Sequence, residues 1–285
     1  MSFLLKTENL THTYSAGTPF ERVAISGIDF QMTKGEYIGI IGSTGSGKST
    51  FIQHLNGLMK PTTGKVLYNN QDIHQTKSFA REIRFKVGLV FQYPEYQLFE
   101  ATVFEDIAFG PKNMGLKESD IKDRVHEAAG FAGLGESFLE KSPFELSGGE
   151  KRRVAIAGVI AMRPEVLILD EPTAGLDPRG REEIIKNISE YKKAHNATVI
   201  MVTHDMEEIA RSAHRIVIFD HGKIVLEGTP AQVFSKSEQL LKLGLAAPKV
   251  TLVANKLRKL GLPLSSDIYK VTQLRDELNT LRGEG

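Results

Sequence analysis

The run GSTGSGKST, Gly42 to Thr50, restricts the fold of this chain more than any other stretch. It follows an apolar run, Tyr37 to Ile41, and opens into a helix-compatible stretch, Lys48 to Leu58. A strand that turns through glycines into a helix is the setting a phosphate-binding loop requires. Gly42, Gly45 and Gly47 let the backbone pass close to a phosphate in torsions closed to other residues. Ser43, Thr44 and Ser46 complete the loop, whose N–H groups then converge at the positive end of a helix dipole. Lys48 is placed to bridge the outer phosphates and Ser49 to ligate Mg²⁺, with Thr50 beside them. Alone, such a run could be a flexible loop; the strand before it and the helix after it favour nucleotide binding.

Bulk properties exclude several classes. The 285 residues suffice for one large domain, or one domain with an appendage, and 41% hydrophobic content supplies a core. Basic and acidic residues number 36 and 35, so no strong field draws the chain to nucleic acid or a charged membrane. Without cysteine there is no disulfide, thiol nucleophile or zinc-thiolate site. The histidines show no metal-ligand spacing such as HxxxH. The start, MSFLLKTENL, lacks the design of a signal peptide. The longest apolar run, Val154 to Met162, falls far short of the ~18 residues that cross a bilayer. A membrane role would therefore run through a partner.

Strand-like runs recur along the chain: Ile28 to Met32, Tyr37 to Ile41, Val87 to Phe91, Val166 to Leu169, Thr198 to Val202 and Arg215 to Phe219. YIGII, VLIL and TVIMV are nearly all apolar, as in strands buried on both faces of a parallel sheet flanked by helices. FDHGKIVLEG reads as a hairpin turning at His221-Gly222. Residues 93–154 break this pattern with helical segments and read as a helical insertion in an α/β core. After Pro230 only helical patterns remain. Val250, Val253, Leu257 and Leu260 form a one-sided stripe, read as core or else as a partner surface, and a short helix is expected over Val271 to Leu281. Two units follow: residues 1–234, and a helical extension, 235–285.

A second acidic element narrows the chemistry. VLILDEP is a buried strand that ends in two carboxylates. Asp170 is placed to hold Mg²⁺ through water, and Glu171 to polarise the water that attacks a γ-phosphate. LSGGE, Leu146 to Glu150, enters a helix that begins near Lys151. Ser147, Gly148 and Gly149 there make another anion site, or an ordinary capped helix start. Two phosphate-gripping loops in one chain suggest one ATP held between two chains.

The order GSTGSGKST, Gln92, LSGGE, LILDEP, AGLD and His204, spanning about Leu5 to Gly228, resembles the ATP-binding cassette (ABC) proteins. The resemblance implies a P-loop NTPase core with a parallel sheet, an antiparallel β subdomain and the inserted helices. It implies that Tyr14 stacks on adenine and Gln92 touches Mg²⁺. Asp177 would lie at the dimer interface, and His204 would contact the γ-phosphate and position Glu171. Head-to-tail dimers would clamp each ATP between one GSTGSGKST and the other chain's LSGGE. The family's signature loop more often ends in Gln; Glu150 lies beyond the gripping segment and is expected to change little, or to weaken ATP affinity slightly.

Only 53 residues separate Gln92 from Leu146, with no heptad run and a single phosphate loop, so DNA-repair and ribosome-acting cassettes fit poorly. FQYPEYQLFEATVFEDIAFGPKNMGL and ELSGGEKRRVAIAGVIAMRPEVLILDEPTAGLDPRG are similar to the ATPases of energy-coupling factor (ECF) transporters. That likeness implies a micronutrient importer, with the chain at the cytoplasmic face of the membrane as the second ATPase of a heterodimeric pair. It also implies a transmembrane T component and S components that carry the vitamin or metal ion. Tyr93, Glu95, Tyr96, Leu98, Phe99 and Glu100 would line the groove for the T component, with Glu95 or Glu100 facing a partner arginine. Read alone, those aromatics are equally core residues. The C-terminal helices would hold the ATPase pair together. The alternatives are another ABC importer or exporter, or a soluble ABC ATPase.

Overall fold

The computed structural model describes residues 3–283, so positions 1–2 and 284–285 of the two expected units lie outside the described residues. The chain begins with two long antiparallel strands, β1 (Leu5–Tyr14) and β2 (Arg22–Met32). Next come β3 (Tyr37–Gly42), helix α1 (Lys48–Leu55), and the strands β4 (Thr63–Tyr68) and β5 (Gln71–Asp72). After α2 (Lys77–Lys86) and β6 (Val87–Val90), the chain leaves for three helices: α3 (Val103–Asn113), α4 (Glu118–Phe131) and α5 (Gly148–Ile160). It returns as β7 (Val166–Asp170), α6 (Pro178–His195), β8 (Thr198–Val202), α7 (Met206–Ser212), β9 (Arg215–Asp220) and β10 (Lys223–Gly228). Four helices follow, α8 (Pro230–Phe234), α9 (Ser237–Lys242), α10 (Lys249–Lys259) and α11 (Val271–Arg282).

The central sheet has the order β10-β9-β3-β8-β7-β6, parallel except for the antiparallel edge strand β10. A second, antiparallel sheet has the order β2-β1-β4-β5. Successive strand side chains point to opposite faces. In β7, Val166 and Ile168 pack with α1 and the antiparallel sheet, whereas Leu167 and Leu169 pack with the helical region. In β8, Ile200 and Val202 divide from Val199 and Met201 in the same way. With both faces covered, neither set can be polar, which removes the alternation from these strands.

Strands β1 and β4 do not read as apolar runs because each is partly exposed and carries polar residues between its buried ones. The inserted helices exceed the expected limit at 154: α5 continues to Ile160, and Ile156, Ala157 and Ile160 are buried in the core. The expected stripe on α10 divides. Val250 is buried, but Val253 and Leu260 are 47% and 78% exposed. The helix instead buries Val250, Thr251 and Ala254, and Thr251 donates its hydroxyl to the Ile268 carbonyl at 2.8 Å. Val250, Ala254, Leu264 and Ile268 form a small core of their own, while Phe234, Leu240, Leu245 and Ala247 belong to the main one. The main core thus reaches past position 235 into the helices that follow β10.

Candidate active site

Strand β3 ends where the loop Gly42–Gly47 begins, and the neighbouring strands end beside it. Gly47 precedes α1 with φ of 104°, and a Cβ there would lie 2.7 Å from the Ala24 carbonyl oxygen. Close approach excludes a side chain at Gly42, where a Cβ would meet the Phe219 carbonyl oxygen at 2.4 Å. Ser43, Thr44, Gly45 and Ser49 are exposed, and Ser46 is buried. Lys48 Nζ turns back to donate to the carbonyls of Gly42 at 2.7 Å and Ser43 at 2.9 Å. Burial lowers the pKa of this ammonium, and the carboxylates of Glu171 and Asp170 oppose the shift.

Ser49 donates its hydroxyl to Asp170 Oδ2 at 3.0 Å, joining α1 to the end of β7. Burial raises the Asp170 pKa, with the Ser49 hydrogen bond acting against it. A hydroxyl beside a carboxylate is a hard oxygen donor set, and it suits Mg²⁺. Glu171 follows with φ of 50°, unfavourable for a residue with a Cβ. Its N–H donates to the Val202 carbonyl at 2.8 Å. His204 Nδ1 lies 2.9 Å from Glu171 Oε2, because β7 and β8 are parallel neighbours that end together. The carboxylate is 16% exposed and the imidazole 80%. Gln92 is exposed just past β6. These groups gather at the carboxyl ends of parallel strands, where open α/β sheets bind their ligands.

A cavity of about 470 Å³ opens beside the loop, lined by Tyr14, Arg22, Val23, Ala24, Gly45, Lys48, Ser49, Thr50 and His221. The Tyr14 hydroxyl is 3.2 Å from Thr50 Oγ1, and its ring meets His12 edge-on at 4.6 Å. Arg22, Val23 and His221 carry no sequence signal for this position; only the packing of β2 and the β9–β10 turn against the loop brings them there.

Ser147 caps α5, but with Glu150 as its reciprocal partner. The Ser147 hydroxyl and N–H both donate to Glu150 Oε2, at 2.7 and 2.8 Å. Those bonds hold the Glu150 carboxyl below its usual range. This corrects the expectation that the side chain points beyond the gripping segment: a helix start rewards a carboxylate that turns back onto its orphan donors. Asp177 caps α6, accepting from the Gly180 N–H at 2.8 Å. Ser147, Gly149, Glu150, Leu176 and Asp177 line a second cavity of about 290 Å³. Among the described residues, none lines both cavities.

In the segment 93–100, Tyr93, Tyr96 and Phe99 are exposed, whereas Leu98 leans on the core. Glu95 departs from expectation: its carboxylate turns inward and pairs with Arg152 of its own chain at 2.7 Å. The Glu100 N–H donates to Asp106. Leu98, Phe99, Phe109, Val154, Val159 and Met162 border a groove of about 440 Å³.

The family described as "ABC transporter" matches residues 25–174. The chain belongs to the ABC transporter family. A shorter match, residues 139–210, is to an AAA domain described as putative AbiEii toxin, Type IV TA system. The cassette is 52% identical over 280 residues, 98% of each chain, to the energy-coupling factor transporter ATP-binding protein EcfA2 of Caldanaerobacter subterraneus subsp. tengcongensis. It is 47% identical over 278 residues to the protein of the same description in Streptococcus pyogenes, covering 96% of this cassette and 98% of that protein. Its fold resembles cbiO1 from Clostridium perfringens, part of the ABC transporter complex cbiONQ, with a TM-score of 0.75 and 39% identity over 91% of this chain and 99% of that one. The ADP- and Pi-bound dimer of the cassette MJ0796 matches with a TM-score of 0.72 and 30% identity over 79% of this chain and 98% of that one. An ATP-hydrolysing cassette of the α/β P-loop class is thus established.

Proposed function

We propose that this cassette is the second ATPase of a heterodimeric ECF-type importer of vitamins or transition-metal ions, peripheral at the cytoplasmic membrane face. The observation that carries this reading is the likeness to EcfA2 proteins along nearly the whole length, helical extension included. The extension from 235 to 285 would help hold the ATPase pair together. The transmembrane T component would rest on Tyr93, Tyr96, Leu98, Phe99 and Glu100, and S components would join through it. Among the described residues no helix is long and apolar enough to cross a membrane, which suits such a peripheral position.

In this reading Tyr14 stacks on adenine, and Gly42 to Thr50 wrap the phosphates. Lys48 exchanges its loop carbonyls for phosphate oxygens. Ser49, Asp170 and Gln92 would hold Mg²⁺, which supplies charge neutralisation at the phosphates when bound. Glu171 orients the attacking water, and His204 steadies that carboxylate and meets the γ-phosphate. Ser147, Gly148, Gly149 and Asp177 act on the nucleotide of the partner ATPase. Two cavities that share no lining residue favour such a two-chain clamp.

Glu171→Gln tests the chemistry: ATP binding should persist while hydrolysis falls roughly 10²- to 10⁴-fold. Near-normal turnover would remove Glu171 from the reaction. Co-purification in mild detergent tests the assembly. A small transmembrane subunit, a second cassette and S-like proteins are expected; recovery of no membrane protein would overturn the transport role.

A further inference from the structure

One buried arginine joins three elements that the motifs leave unconnected. Arg152 lies on α5, two residues past the signature loop, and is 3% exposed. Its Nε and Nη2 donate to the two Glu95 oxygens at 3.0 and 2.7 Å, a bidentate pair reaching the segment 93–100. The guanidinium also lies 6.0 Å from the Tyr93 ring centre. Its Nη1 donates to the carbonyls of Pro172, at 3.4 Å, and of Ala174. Both carbonyls belong to the turn directly after Glu171, a turn also closed by the Ala174 N–H on the Glu171 carbonyl at 3.1 Å.

We propose that Arg152 is a positioning residue that carries partner contact at Tyr93, Tyr96 and Phe99 to the backbone supporting Glu171. The inference rests on the reading of that segment as partner-facing. Three facts make the route mechanical. The segment is pinned at both ends, by Arg152 on Glu95 and by Asp106, which accepts the Phe99 and Glu100 N–H groups at 3.3 Å each. Pinned at both ends, it shifts as a unit when its exposed rings are pressed. The guanidinium is planar and rigid, so a shift of Glu95 turns the Nη1 that holds the turn. Glu171 keeps an unfavourable torsion through its neighbours' contacts, so a small change in those contacts alters its carboxylate.

The test uses the full transporter complex and the ATPase pair without its transmembrane subunit. In Glu95→Gln, the stimulation of ATP hydrolysis by that subunit should fall roughly tenfold, the scale of one charge-assisted hydrogen bond. The partner-free kcat and the KM for ATP should stay within about twofold. Arg152→Lys keeps a charge opposite Glu95 but cannot also span both carbonyls. It should lower kcat with and without the subunit at unchanged KM. Stimulation that survives Glu95→Gln overturns the inference, as does an equal loss with and without the subunit, or loss of subunit binding itself. Should Glu95→Gln fail to fold by thermal melt, Glu95→Asp, which retains the charge at shorter reach, must give an intermediate stimulation. A wild-type chain that recovers no transmembrane subunit overturns the proposed function instead; a bound subunit with intact stimulation in Glu95→Gln overturns this inference alone.

Discussion

The phosphate loop and the signature loop each stand at a helix start, but they hold charges of opposite sign there. Each precedes a helix whose first N–H groups lack partners. In the phosphate loop Lys48 turns back onto the carbonyls of Gly42 and Ser43. In the signature loop Glu150 turns back onto the hydroxyl and N–H of Ser147. A phosphate entering the first meets an ammonium that only has to exchange acceptors. In the proposed clamp, a phosphate entering the second would meet a carboxylate of its own sign, already holding the hydroxyl and N–H of Ser147. One loop is ready for an anion; the other is occupied by one.

The contrast can be broken at three points. Lys48→Ala should have the largest effect: loss of about 100-fold in ATP affinity of the single chain, read by fluorescent-nucleotide titration. A charge-assisted contact of roughly 1.5–3 kcal/mol sets that scale. Retained affinity would mean the loop backbone alone grips the phosphates. Ser147→Ala should leave single-chain ATP binding unchanged and weaken ATP-driven association of the pair about tenfold, measured by light scattering in a Glu171→Gln background. If it lowered single-chain affinity instead, the two loops would serve one nucleotide within one chain. Glu150→Gln should act least and in the opposite direction. Glutamine preserves the cap but removes the like charge, so association should tighten about threefold, a fraction of a charge pair in high dielectric. Weaker association in that variant would show that the carboxylate assists closure.

How far each loop was legible follows from where its information lies. The phosphate loop needs torsions and close approaches that only glycine allows, so Gly42 and Gly47 write its geometry into the chain. Lys48, Ser49 and Asp170 follow from spacing and from strand ends, and their clustering appears in the fold. The strands YIGII, VLIL and TVIMV were legible because both their faces are covered. β1 and β4 were not, since half-exposed strands mix polar and apolar residues. The α10 stripe divides because any aliphatic at the right interval counts in a pattern: Val250 and Leu257 pack on the small core, Val253 and Leu260 stay exposed, and packing adds Thr251 and Ala254.

Glu95 and Glu150 are the instructive departures. Both are acidic residues beside functional segments, where a linear reading sees free charge. Glu95 is instead paired with Arg152, 57 positions away, and Glu150 closes a cap on Ser147. The amino-acid sequence by itself determined the phosphate loop and the strands covered on both faces, because local torsion, periodicity and spacing are properties of neighbouring residues. Tertiary structure alone decided the pairing of Glu95 with Arg152, whereas Ser147 and Glu150 stand three residues apart and their cap is local. The fold also decided which residues beyond the motifs, such as Arg22, His221 and Arg152, reach the site or its supports. The physical reason is that burial pairs a charge with whatever opposite charge or dipole the fold brings within about 3 Å, and chain separation has no part in that choice.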